Sequence, residues 1–208
     1  MPIDLWLAFV AASTALLLIP GPTVLLVLSY ALSRGRSVAL ATAAGVAVGD
    51  LVAMTASLAG LGALVLASAQ LFVVIKLVGA AYLVWLGIGL IRNANALTFA
   101  AKDAPALPAR KIFGHAAAVT ALNPKSIVFF IAFVPQFLRI DEALVPQFAV
   151  LIATFVGLAA LNALTYALLA DRLRRRISRP PVLRGLARLG GATLIAMGAA
   201  TAALRKAA

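Results

Sequence analysis

The run Leu16-Leu17-Leu18-Ile19-Pro20-Gly21-Pro22-Thr23-Val24-Leu25-Leu26 decides how this chain is built. It lies within an apolar segment, Leu5–Ser33, long enough to cross a bilayer, and two prolines and a glycine interrupt that segment near its centre. Proline lacks the N–H a helix interior needs and its ring clashes with the preceding turn, so the helix must bend or stop here. A second run, Thr120-Ala121-Leu122-Asn123-Pro124-Lys125-Ser126-Ile127, repeats the interruption inside another apolar segment, Ile112–Leu138. Asparagine is a strong helix N-cap and proline is favoured at the first helical position. Asn123-Pro124 therefore reads as the start of a half-helix, and Gly21-Pro22 reads the same way.

Four more apolar segments flank these two: Val38–Leu66, Leu71–Ile91, Pro146–Ala170 and Ala187–Leu204. The expected fold is an all-α integral membrane protein of six transmembrane helices, with the first and fourth broken. The first two segments exceed the minimum spanning length, so tilt or a break is expected in each. Composition agrees. Apolar residues make up 64% of the chain and charged residues 12%, against about a quarter charged in soluble domains. An interior of this size cannot hide that much apolar surface, so the surplus faces lipid. The first segment has no basic flank before it and is too long for a signal peptide's apolar stretch, which makes it a retained helix.

The net charge of +12 sits in short loops between spans and reads as topology, not as nucleic-acid binding. Arg34 and Arg36 lie in the first loop, Arg92, Lys102, Arg110 and Lys111 in the third, and Arg172, Arg174, Arg175, Arg176, Arg179, Arg184 and Arg188 in the fifth. Arg139, Arg205 and Lys206 lie on the opposite side. The basic side is cytoplasmic by the positive-inside rule, which places both termini outside. The fifth loop also has the make-up of a contact for anionic lipid.

Several chemistries are excluded. The chain has no Cys and a single His, so disulfides, thiolate ligands and imidazole metal clusters are out of reach. No Ser/His/Asp arrangement and no phosphate-binding glycine loop with Lys is present, so no enzyme, no nucleotide site and no cofactor is expected.

Lys76-Leu77-Val78-Gly79-Ala80 in the third segment aligns with Arg188-Leu189-Gly190-Gly191-Ala192 in the sixth. The chain then divides into a first half, 1–91, a cytoplasmic linker, 92–111, and a second half, 112–208, all within one membrane domain. Three spans is an odd number, so the second half enters the membrane inverted. Inverted repeats with paired interruptions are a transporter design whose site lies at the midplane. The two half-helix starts would meet there from opposite directions, each with the partial positive charge and open N–H groups that suit a carboxylate. The competing reading is a pair of plain proline kinks.

Asp50 lies near mid-depth in the second segment, where a charge costs at least about 2.5–3.5 kcal/mol on insertion scales. Gly45 and Gly49 form a small-residue stripe beside it, which admits another helix and turns Asp50 toward the bundle. It is the candidate proton carrier; a structural ion pair or a cap on broken backbone is the alternative. Lys125 admits three roles: pairing with Asp50, binding a substrate carboxylate, or satisfying the carbonyls that the break frees. Asn162 is either the second-half counterpart of Asp50 or an interhelical hydrogen bond. Tyr82 and Gln136 are possible pocket residues with packing or local capping as alternatives, as is Trp85. His115 lies toward the cytoplasmic mouth.

Pro20-Gly21-Pro22, Gly45-x3-Gly49-Asp50, Gly79-Ala80-Ala81-Tyr82-Leu83 with Gly87, and Asn123-Pro124-Lys125 leading into Phe129-Phe130 and Pro135-Gln136-Phe137 follow in order over residues 15–140. In this set the chain resembles the LysE/RhtB family of amino-acid exporters; the last third matches in hydropathy. The resemblance implies efflux of an amino acid or derivative from the bacterial cytoplasm by proton antiport, an inner-membrane location and a homodimer. It assigns suspected roles to Pro20, Gly21, Pro22, Asp50, Asn123, Pro124 and Lys125. Thr23 stands where many relatives have Asn, and the fifth span carries Asn162 in place of a carboxylate; both leave the substrate open. An exporter of another small solute or of a metal cation on the same scaffold is the alternative; two mid-depth charges of opposite sign and one His disfavour the metal.

Overall fold

The computed structural model describes residues 1–19, 21–67, 69–95, 107–139, 142–170 and 180–203. Pro20 and the arginines from 172 to 179 lie outside them. The helices are α1 (Ile3–Leu18), α2 (Pro22–Arg34), α3 (Ala39–Ala67), α4 (Ala69–Arg92), α5 (Ala109–Ala121), α6 (Pro124–Val128), α7 (Leu144–Leu168) and α8 (Pro180–Ala203). A π-helical turn, Phe129–Phe133, and a 3-10 turn, Val134–Phe137, continue α6 outward.

Both expected interruptions are present. Ile19 is extended (φ −71°, ψ 118°), as a residue before proline is pushed to be, and α2 opens with Pro22 at its first position. Asn123, also before a proline, is extended (φ −70°, ψ 110°), and its side-chain Oδ1 accepts the Lys125 backbone N–H at 3.1 Å. α1 and α2 meet at 57°, and α5 meets the 124–137 segment at 42°. Four continuous helices are long and apolar enough to cross a bilayer, and the total is six when each bent pair is taken as one span. In the second segment, where tilt or a break was expected, α3 runs 29 residues without a break. Its length is carried by one continuous helix because it holds no proline to remove a helical hydrogen bond.

Small residues set the packing. A Cβ on Gly45 would sit 2.5 Å from the Phe113 carbonyl oxygen, and one on Gly49 2.6 Å from that of Ala117, so α3 and α5 touch backbone to backbone. α3 packs on α7 with another face. The most extensive helix pair is α4 with α8. Here Gly87 and Gly191 face each other reciprocally, a Cβ on either falling 2.5 Å from the other's carbonyl oxygen, and Gly198 lies against the carbonyl of Ala80. Large apolar side chains left on the outside, such as Trp85 at 64% exposure with Val74 and Val78, form the surface that lipid covers.

Candidate functional site at the two helix breaks

A helix that stops inside a bilayer strands four carbonyls, each costing several kcal/mol if left bare. The second half of the chain supplies the partners for α1. Lys125 Nζ donates to the Leu16 and Ile19 carbonyls, both at 3.0 Å. Asn162 Nδ2 donates to the Leu17 carbonyl at 3.2 Å, and the Tyr166 hydroxyl reaches that of Leu18 at 3.5 Å. Each broken end also has backbone bonds of its own: Ile19 N–H to Leu16 O at 3.2 Å after α1, and Leu122 N–H to Ala118 O at 3.0 Å and Asn123 N–H to Thr120 O at 3.1 Å after α5.

The two breaks are tied across the bundle. Asn123 Nδ2 donates to Thr23 Oγ1 at 3.3 Å, and Thr23 Oγ1 lies 3.3 Å from Thr120 Oγ1. Gly21 lies beside the Lys125 ammonium, where a Cβ would stand 3.3 Å from Nζ. Between these groups lies a cavity of about 30 Å³ lined by Gly21, Thr23, Asp50, Asn123, Lys125 and Asn162, with Leu16, Val27 and Ala163 among its apolar walls.

Asp50 is only 2% exposed and belongs to the bundle interior, as its place beside the glycine stripe requires. Its Oδ1 is buried without a hydrogen-bond partner. Among the described residues it forms no ion pair, although Lys125 lines the same cavity. A buried carboxylate oxygen with no donor is rare enough to require an explanation, and a ligand-binding role is one.

Of the residues singled out from the sequence, Gly21, Asp50, Asn123, Lys125 and Asn162 come together here. Pro22 and Pro124 open the two half-helices without lining the cavity. Tyr82 and Gln136 stand elsewhere. Tyr82 lies against Trp85 with ring centroids 5.3 Å apart, and Gln136 Nε2 donates to Thr201 Oγ1 at 2.6 Å. Thr23, Ser126 and Tyr166 are cavity residues to which sequence reasoning gave no role. Tyr166 was within reach of it, because it follows Asn162 by four residues on one helix face.

Packed side chains flank the cavity on both sides. Beyond α6, Phe129, Phe130, Phe133 and Phe137 join Phe155 and Phe9 in a buried aromatic cluster with neighbouring centroids 4.8–6.0 Å apart. Beyond α2 and α5 the packing is polar as well as apolar. Tyr30 OH meets His115 Nδ1 at 2.7 Å, and Arg34 donates to Leu107 O at 3.4 Å, beside Val38 and Ile112.

Comparison with known proteins gives a consistent result. A family model described as LysE type translocator matches residues 14–204. An uncharacterised membrane protein of Vibrio cholerae is 35% identical over 198 residues, covering 95% of this chain and 96% of its own. A homoserine/homoserine lactone efflux protein of Salmonella typhimurium is 32% identical over 207 residues, covering 100% of both chains. A leucine efflux protein of Klebsiella pneumoniae is 32% identical over 136 residues, covering 65% of this chain and 64% of its own. No solved structure matches.

Proposed function

The chain belongs to the LysE type translocator family, and from that premise we propose that it exports a small amino acid or an amino-acid derivative from the cytoplasm in exchange for protons. The observation that carries the reading is the unpartnered Oδ1 of Asp50, buried in a polar cavity between two broken helices. The substrate's ammonium meets Asp50. Its carboxylate lies at the start of α2, where Thr23 offers a hydroxyl and where the first-turn N–H groups have no partner within the helix. The efflux proteins at 32% identity, named for homoserine, homoserine lactone and leucine, support a small primary amine as the cargo.

A cavity of about 30 Å³ is far below the roughly 300 Å³ of a small-molecule pocket, so loading requires the lining helices to separate. Alternating access provides this. Opening on the α2–α5 side admits substrate to a deprotonated Asp50, and opening on the aromatic side lets an external proton neutralise Asp50 and release the ammonium. Two related halves are the architecture that suits such exchange. Support for them comes from bends at matching positions and from the paired α4–α8 contacts, Gly87 with Gly191 and Ala80 with Gly198. The loop charges support periplasmic termini, and the family resemblance supports a homodimer in the bacterial inner membrane.

Against the metal-exporter reading, no group of three His, Cys, Asp or Glu side chains able to hold a metal ion occurs among the described residues. The test is export of labelled homoserine, leucine and a wider amino-acid panel from cells with and without the gene, each with and without an uncoupler. Gene-dependent export that the uncoupler abolishes is expected. Export of divalent metal in place of every amino acid would overturn the reading.

A further inference from the structure

The two breaks are not alike. Each broken end has a backbone turn of its own, Ile19 N–H on Leu16 O and Asn123 N–H on Thr120 O, but among the described residues the carbonyls from Leu16 to Ile19 also receive side-chain donors, from α6 and α7. Lys125 supplies two of these bonds with one ammonium, which carries three donors. The corresponding position after Gly21-Pro22 in the first half is Thr23, which has no cation to return. Asp50 Oδ1 stays without a hydrogen-bond partner in the same cavity while the Lys125 ammonium donates to main-chain oxygens. Gly21 lies beside this contact, a Cβ there standing 3.3 Å from Nζ.

We infer that Lys125 is a positioning residue whose ammonium fills a primary-ammonium site made by the Leu16 and Ile19 carbonyls, locking α1 to the second half, and that it is not the partner of the substrate's carboxylate. Its commitment to these carbonyls leaves Asp50 open to a second cation, the ammonium of the substrate. The site at the broken end of α1 is a pair of carbonyl oxygens, which a cation with free N–H donors fills and tetramethylammonium, which has none, does not. The substrate clause of the inference rests on the exporter reading; the locking clause does not.

The experiment has two arms. In the first, thermal unfolding of purified wild-type protein, Lys125→Arg and Lys125→Ala is followed in detergent, with methylammonium chloride or tetramethylammonium chloride added. Lys125→Ala is expected to melt lower, with methylammonium restoring its midpoint and tetramethylammonium leaving it unchanged. Lys125→Arg is expected to stay near wild type. No destabilisation of Lys125→Ala, or recovery equal with both salts, overturns the locking role.

In the second arm, labelled homoserine and homoserine lactone are compared in proteoliposomes, since the lactone keeps the ammonium and lacks the carboxylate. Lys125→Ala is expected to lower the maximal rate of both by the same factor, about tenfold or more for the loss of two charge-assisted hydrogen bonds, with KM little changed and methylammonium restoring the rate. A raised KM for homoserine with the lactone unaffected overturns the inference and makes Lys125 a carboxylate ligand. Wild-type protein that moves neither compound sinks the exporter reading, and the first arm still decides the locking role.

Discussion

The hydroxyl of Tyr30 and Nδ1 of His115 meet at 2.7 Å, joining α2 to α5 across 85 residues of sequence. Their rings stand edge to face with centroids 5.9 Å apart. Both helices lie on one side of the breaks, so this bond ties them together on that side of the cavity. Tyr30→Phe keeps the ring and removes the bond. It is expected to cost about 0.5–1.5 kcal/mol of closure, read as faster maleimide labelling of a single Val27→Cys from the α2–α5 side. The absence of native Cys makes that thiol unique. Unchanged labelling would show that Tyr30 and His115 do not guard the cavity.

Gly45 and Gly60 lie on the same helix in opposite settings. A Cβ on Gly45 meets the Phe113 carbonyl oxygen at 2.5 Å, while Gly60 has nothing within 4 Å. Gly45→Ala is therefore expected to destabilise by about 1–3 kcal/mol as α3 and α5 are forced apart, and Gly60→Ala to be nearly neutral. Fluorescence-detected size exclusion after graded heating compares the two. Equal behaviour would contradict the backbone contact.

Asn123 has two tasks, capping the half-helix through Oδ1 and holding Thr23 through Nδ2. Asn123→Ser keeps a capping oxygen and loses the reach to Thr23, whereas Asn123→Ala loses both. The expected order of stability is wild type, then Ser, then Ala, with about 1 kcal/mol between Ser and Ala from the cap. Thermal melts test the order, and Ala equal to Ser would remove the cap from the account.

How much of this was legible in the sequence depends on the kind of interaction. Breaks written in Pro22, Asn123 and Pro124 are local, because proline geometry acts on its own turn and on the residue before it. The burial of Asp50 was legible because a charge in a bilayer has few places to go, and Gly45 with Gly49 marked the helix face that approaches another. The role of Lys125 was not, since its partners are the main-chain oxygens of Leu16 and Ile19, and every residue type carries such an oxygen. The sequence left pairing with Asp50, carboxylate binding and carbonyl capping open for it; the structure shows the capping bonds. Tyr82 and Gln136 were named by type and depth, which do not report rotation about the helix axis, and both stand away from the cavity. The length of α3 left tilt or a break open; the helix is unbroken, since length alone does not remove a helical hydrogen bond.

The charge asymmetry of the loops predicts that both termini are periplasmic. Thiol-specific labelling of a single Cys placed at Met1 or Ala208 in intact cells checks this, with a membrane-impermeant reagent expected to reach both. Protection of either terminus until the membrane is broken would reverse the topology at that end.

The central claim is that Asp50 couples amino-acid efflux to protons. Labelled homoserine flux in proteoliposomes with an imposed pH gradient tests it most directly, comparing wild type with Asp50→Asn of the same size-exclusion profile. The account predicts uphill movement by the wild type that a protonophore collapses, and none by the variant. An Asp50→Asn protein that moves homoserine uphill at the wild-type rate would contradict it.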